Sequence, residues 1–238
     1  GFNYNSSQIE GEAGTIGSIV FRAVESYLNY IEASYLKNGS VNGKAATYWS
    51  AIRTRAGVNP DFNLTIGNTD ISKEAKGDFG AYSAGVVLND AVLYNIRRER
   101  RNELMAEGLR FMDLKRWRSL DQLKSNPYII EGFKLWGPMQ DWYKDEDTGQ
   151  SILVPAGSGS SGTPNVSSPS ESQYLRPYRI ILGSTNLARE GYRWATAHYL
   201  EPIAIQHFII TSPTGDPATS VIYQNPGWPL VANSGAID

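Results

Sequence analysis

Along the first half of the chain, apolar residues recur every three to four positions, the spacing that gathers them on one face of an α-helix. Between residues 16 and 36 the stripe is Ile16, Val20, Val24, Tyr27, Leu28, Ile31 and Tyr35, and Asn38-Gly39 supplies a stop. After Gly43 a second stripe of Ala45, Tyr48, Trp49, Ile52 and Ala56 runs to Gly57, the expected cap, with Arg55 in the last turn where a cation complements the helix dipole. Two helices joined by a short polar link predict an antiparallel hairpin of tetratricopeptide type, of which one unit is visible. Residues 58–85 are rich in Asn, Asp and Gly and read as loop, and Asn89 or Asp90 stands where it can cap a further helix.

Beyond Pro127 the helical period fades. Ala156 to Ser170 is almost wholly Gly, Ser, Pro and Thr, which predicts a flexible surface loop. Prolines at 177, 202, 213, 217, 226 and 229 suit short strands and fixed turns. The expected fold is therefore mostly α: a helical hairpin plus a further helix, with long irregular loops and a Pro-rich C-terminal wrap. With 238 residues and 41% hydrophobic side chains the chain can bury a sizeable core, as one domain or two closely packed subdomains. We read a single domain over 1–238, with a helical body at 16–125 and a loop-rich wrap at 126–238.

The stretch Ile96 to Trp117, IRRERRNELMAEGLRFMDLKRW, breaks the usual rule that a helix turns its apolar side inward. At about 100° per residue, Leu93, Ile96, Arg100, Glu103, Leu104 and Glu107 share one face with Glu99 at its edge, while Arg97, Arg98, Arg101 and Met105 point away. Glu99, Glu103 and Glu107 follow one another at i, i+4, a repulsive arrangement unless neutralised. Buried charge persists only when paired and hydrogen-bonded. The helix is thus expected to dock where cations meet its acids, with Arg100, Arg110 and Arg53 or Arg55 as candidates. Gly108 stands where the helix would end, and Arg110, Asp113 and Arg116 continue at helical spacing to Trp117.

This string resembles the signature of the SusD/RagB family of outer-membrane nutrient-binding lipoproteins, through Ile96, Glu99-Arg100, Glu103-Leu104, Glu107-Gly108, Arg110, Asp113-Leu114 and Arg116-Trp117. Leu28 to Gly57, ending in Arg53-Thr54-Arg55-Ala56-Gly57, is similar to a family helix and its turn. Tyr199-Leu200-Glu201-Pro202-Ile203 and Gln224-Asn225-Pro226-Gly227-Trp228 resemble the closing segment, with Ala204 and Trp228 where a second proline and a tyrosine are common. The resemblance implies non-catalytic capture of glycan or peptide nutrients at the cell surface. It also implies delivery to a partner, a SusC-like TonB-dependent outer-membrane transporter. Family members are about twice this long and carry a lipidated cysteine, so the chain is expected to be a C-terminal portion whose lipid anchor lies elsewhere.

Composition narrows the alternatives. A net charge of −2 and a pI near 5.8 argue against a nucleic-acid partner, and the run Arg97 to Arg101 is interrupted by Glu99. No apolar stretch approaches the roughly 18 residues a membrane span needs. The absence of cysteine excludes disulfides, thiol catalysis and zinc-thiolate sites. No cofactor or metal is expected: His198 and His207 lack a matching acidic partner, and Asp145, Asp147 and Gly149 form only a fragment of a calcium loop, better read as a polar turn.

Two further function classes stay open. Glu99, Glu103 and Glu107 lie at roughly a glycosidase separation, but neighbouring turns of one helix aim both groups the same way, so we read Glu99, Arg100, Glu103, Glu107 and Arg110 as a structural ion cluster. The hairpin alone would also suit a helical-repeat scaffold that binds protein. Trp49 and Trp117 sit on apolar stripes as core, and Trp228 follows a tight proline turn as an anchor for the tail. Trp136, Trp142 and Tyr143 lie where no stripe exists, between Gly137-Pro138 and the acidic turn. Exposed loop aromatics of that kind stack on the apolar faces of sugar rings, and these three are the candidate ligand contacts.

Overall fold

The computed structural model describes residues 21–157, 162–181, 183, 186–231 and 234–237. Ile16, Val20 and positions 158–161 of the Gly/Ser tract lie outside these. The fold is mostly helical, in two compact units: residues 1–81 with 87–113, and residues 82–86 with 114–238.

In the first unit, α1 (Ala23–Asn38) and α2 (Gly43–Arg55) form the tetratricopeptide-like hairpin. α1 stops at Gly39, whose left-handed backbone lets its N–H bond the Tyr35 carbonyl. Val24, Leu28 and Ile31 of α1 meet Ala45, Trp49 and Ile52 of α2, and the Trp49 ring lies flat on Phe62 with centroids 4.3 Å apart. Each Val, Leu, Ile or Phe among them contributes about 1.5–3 kcal/mol on leaving water.

Residues 58–85 depart from the expected loop. α3 (Phe62–Gly67) and α4 (Ile71–Glu74) are capped by Asp61 and Asp70, which accept from the Asn63 and Ser72 amides. Elements of four to six residues are too short to express a hydrophobic period, so only their Asp caps announced them. α5 (Ala91–Glu103) follows, capped by Asp90 through the Leu93 N–H at 2.9 Å, and Ile96 and Leu104 complete the core. It closes about a turn before Gly108: Leu104 is its cap, and Ala106 and Gly108 both take left-handed backbones. Glu107 accordingly lies outside the helix. α6 (Arg110–Arg116) comes next.

Among its described residues the second unit is built largely from 3-10 turns and isolated bridges, and its helix α7 (Ile205–Thr211) buries Phe208. Its irregular path is held by side chains that grip the backbone. Gln224 spans Ile203, accepting from its N–H and donating to its carbonyl, both at 2.8 Å. Asn225 donates to Glu201 O at 2.6 Å, and the Trp228 N–H reaches the Ala197 and Leu200 carbonyls at 3.0 Å. The two closing motifs thus interlock. Gly227 must be glycine there, because its φ is +79° and a Cβ would stand 2.7 Å from Ala197 Cβ. The tract after Ala156 is not all loose: Val166 and Ser167 are buried, and the Ala156 N–H bonds Val166 O at 2.9 Å.

Candidate functional site

α5 carries a run of ion pairs that extends through the first unit. Glu99 accepts from Arg53 at 2.8 Å and from the Trp49 indole at 3.0 Å, fastening α5 to α2. Glu103 is gripped by Arg22, which precedes α1, and by Arg55 of α2, while Arg22 also holds Glu107. The Glu103 side chain is only 9% exposed, so these guanidiniums replace the water it has lost.

Arg100 and Arg110 serve other carboxylates than the glutamates proposed for them. Arg100 donates to buried Asp113 at 2.7 Å and to Asn29 at 2.8 Å, and pairs with Glu25 at 3.5 Å. Arg110 pairs with Asp78, which also holds Arg101 at 2.8 Å. Burial holds the Arg110 guanidinium below its ordinary value, partly offset by the Asp78 charge. Glu25, Asn29 and Asp78 have no place in the expected partner set, and neither does Arg22. Glu25 and Asn29, one turn apart beside core Val24 and Leu28, were the readable trace of an acceptor pair on α1.

The side of α5 expected to point away is also covered. Arg97 is buried and donates to Gly80 O at 3.2 Å, and Arg98 pairs with Glu74 at 3.1 Å. Tyr94, fully buried, donates to Glu74 at 3.0 Å; burial first, and the Asp78 charge next, push its phenol well above its usual range. The short elements of residues 71–81 supply this second surface, and reading them as loop left the arginines without one. Met105, by contrast, is exposed.

Such an arrangement fastens helices together. Hydrolysis of a glycoside needs two carboxyl groups facing each other across a sugar, whereas the three glutamates turn their oxygens onto arginines of the same unit.

The aromatic segment lies in the second unit. Residues 132–136 run beside 173–175, through Gly132 N–H to Leu175 O at 2.7 Å, Leu175 N–H to Phe133 O at 3.0 Å and Trp136 N–H to Gln173 O at 3.0 Å. Leu135 is buried, and half-buried Trp136 donates its indole N–H to Ser167 O at 3.2 Å. A 3-10 turn over Pro138–Trp142 then lifts Trp142 to 76% exposure, with Tyr143 half-buried after it. The structure therefore separates the three: Trp136 is packed, while Trp142 presents a free ring face. Just beyond, Asp145 accepts from the Thr148 N–H and hydroxyl and Gly149 closes onto Asp145 O, a polar turn. Among the described residues no cluster of three or more His, Asp or Glu is placed to hold a metal.

The described residues thus show helices bound by internal ion pairs and aromatic rings left open on irregular segments. The SusD family model matches residues 2–228, and the chain belongs to that family, whose members are nutrient-binding proteins of the cell surface, not enzymes, associated with the outer membrane. No curated protein and no solved structure matches the chain. Among the described residues no helix is long and apolar enough to cross a membrane.

Proposed function

We propose that the protein captures glycan or peptide nutrients at the outer face of the outer membrane, held there by a lipid anchor. It passes them without covalent chemistry to a SusC-like TonB-dependent transporter. The family match over residues 2–228 carries this reading, and the spending of Glu99, Glu103 and Glu107 on arginines supports a binding role over a hydrolytic one. Trp142 is the leading ligand contact, with Tyr143 and Trp136 behind it.

Titration of the protein with a panel of oligosaccharides and short peptides, followed by intrinsic tryptophan fluorescence, tests the reading. A saturable change with at least one ligand, recovered chemically intact and weakened by Trp142→Ala, is expected. A panel that gives no saturable change would favour a pure protein-binding scaffold, and a cleaved ligand would favour an enzyme.

A further inference from the structure

The dipeptide Asn-Gly occurs twice in this chain, at 38–39 and at 42–43, one at each end of the link between α1 and α2. Asparagine before glycine is open to attack on its own side chain, because no Cβ screens the following amide nitrogen and the glycine backbone turns freely. Both asparagines are exposed, so access to water does not distinguish them. Their hydrogen bonds do.

Asn38 closes the last turn of α1, and the Gly39 N–H is spent on the Tyr35 carbonyl at 2.8 Å. The Asn38 side chain reaches back one turn, donating to the Ser34 hydroxyl at 3.3 Å. Nucleophile and target are therefore both occupied. Asn42 stands ahead of α2 on an extended backbone, φ −138° and ψ 171°, and its side chain makes no capping bond. Gly43 opens the helix, where the first N–H groups have no carbonyl behind them. Among the described residues its N–H meets no acceptor, and nothing lies within 4 Å of where a Gly43 Cβ would stand. The positive end of the α2 dipole, with no acidic residue in the first turn to offset it, eases loss of a proton from that nitrogen.

We infer that Asn42 is a site of spontaneous backbone modification, while Asn38, the same dipeptide at the other end of the link, is protected by its helix. Hydroxide removes the Gly43 amide proton, the nitrogen forms a bond to Asn42 Cγ, and the Cγ–Nδ2 bond breaks with loss of ammonia. Water then opens the cyclic imide at Cγ, giving aspartate, or at the main-chain carbonyl carbon, giving isoaspartate. Nothing is oxidised or reduced. The two products act differently on the hairpin. Aspartate places a negative charge where the helix dipole favours it. Isoaspartate adds a methylene to the link and turns the main-chain carbonyl that accepts the Ala45 N–H at 3.1 Å into a free carboxylate, so the first turn of α2 begins without its peptide acceptor.

The folded chain and a synthetic peptide of residues 35–46 are incubated side by side in mildly alkaline buffer. Digestion and electron-transfer mass spectrometry then place the exchange of amide for acid at Asn38 or Asn42 and separate isoaspartate from aspartate. Methyl transfer from S-adenosylmethionine by an isoaspartate carboxyl methyltransferase counts isoaspartate independently. In the peptide, which lacks the fold, both asparagines should react at comparable rates. In the folded chain Asn42 should react at least about tenfold faster than Asn38. A smaller ratio, or an Asn42 that stays intact while the peptide reacts, overturns the inference. Asn42→Ser, which keeps a helix-capping residue, should abolish methyl acceptance by the aged chain. Acceptance that persists in that variant would put the isoaspartate elsewhere and overturn the assignment as well.

Discussion

The two units of this protein hold their shape by different means. In the first, regular helices bring charges inward and neutralise them: Arg100 against Asp113 and Glu25, Arg53 against Glu99, Arg22 and Arg55 against Glu103. In the second, few helices are present, and side-chain amides and indoles grip the main chain, as Gln224 grips Ile203 and Trp228 grips Ala197 and Leu200. A helix satisfies its own backbone and can spend side chains on one another, whereas irregular chain must use side chains to satisfy the backbone. Exposed aromatic rings occur in both, as with Tyr27 and Tyr30 on α1, but only in irregular chain does a turn lift a ring such as Trp142 to 76% exposure.

The contrast can be broken most forcefully at Arg100. Arg100→Ala takes from Asp113, almost fully buried, a cation 2.7 Å away, and should cost about 3–5 kcal/mol. A fall of roughly 6–20 °C in calorimetric melting temperature is expected; a loss below about 2 °C would mean that the pair is not what holds α5 in place.

The equivalent change in the second unit is smaller. Trp228→Phe keeps the ring but removes the N–H shared by two carbonyls, and should cost about 1–3 kcal/mol. Amide hydrogen exchange ought to speed up around residues 197–203 and stay unchanged in α2 and α5; uniform acceleration would contradict a local grip.

The smallest effect is set by pH and sharpens what the units share. Burial, then the hydrogen bond to Asp90, pushes Tyr35 in the first unit up to about 12, and burial with the Asp121 bond does the same for Tyr199 in the second. Because both folded-state values are raised above the ordinary phenol value of 10.0, their contribution is complete below pH 10 and is lost as pH climbs towards 12. Melting temperature should be flat through mildly alkaline pH and fall above it, less steeply in Tyr35→Phe; an identical slope in that variant would remove Tyr35 from the account.

The hairpin, the charged helix and its need for arginines were readable because helical spacing forces neighbours onto a shared face. α1 ends at Asn38 and α2 begins at Gly43, as the stripes and stops require. The choice of cation was not readable. Arg22 lies 81 residues from Glu103 in the chain, and no local spacing reports a contact of that span. Residues 71–81, too short for a period, hid the second wall around Arg97, Arg98 and Tyr94. Tryptophans stood out in the second unit because they are rare. The pairing of its tyrosines did not, since Tyr128 and Tyr192 face each other across a bridge between segments some 60 residues apart. The closing motifs were noticed separately, while their interlock at Ile203 and Gln224 emerges only from the fold.

The central claim is that the glutamates of α5 hold the body together and do not touch ligand. Measuring melting temperature and ligand affinity side by side for Glu103→Gln tests it most directly. The account predicts a loss of about 1–3 kcal/mol in stability with the affinity of the folded protein unchanged. A variant that melts as the unmodified chain does, yet no longer binds or begins to spare a substrate the unmodified chain cleaves, would contradict it.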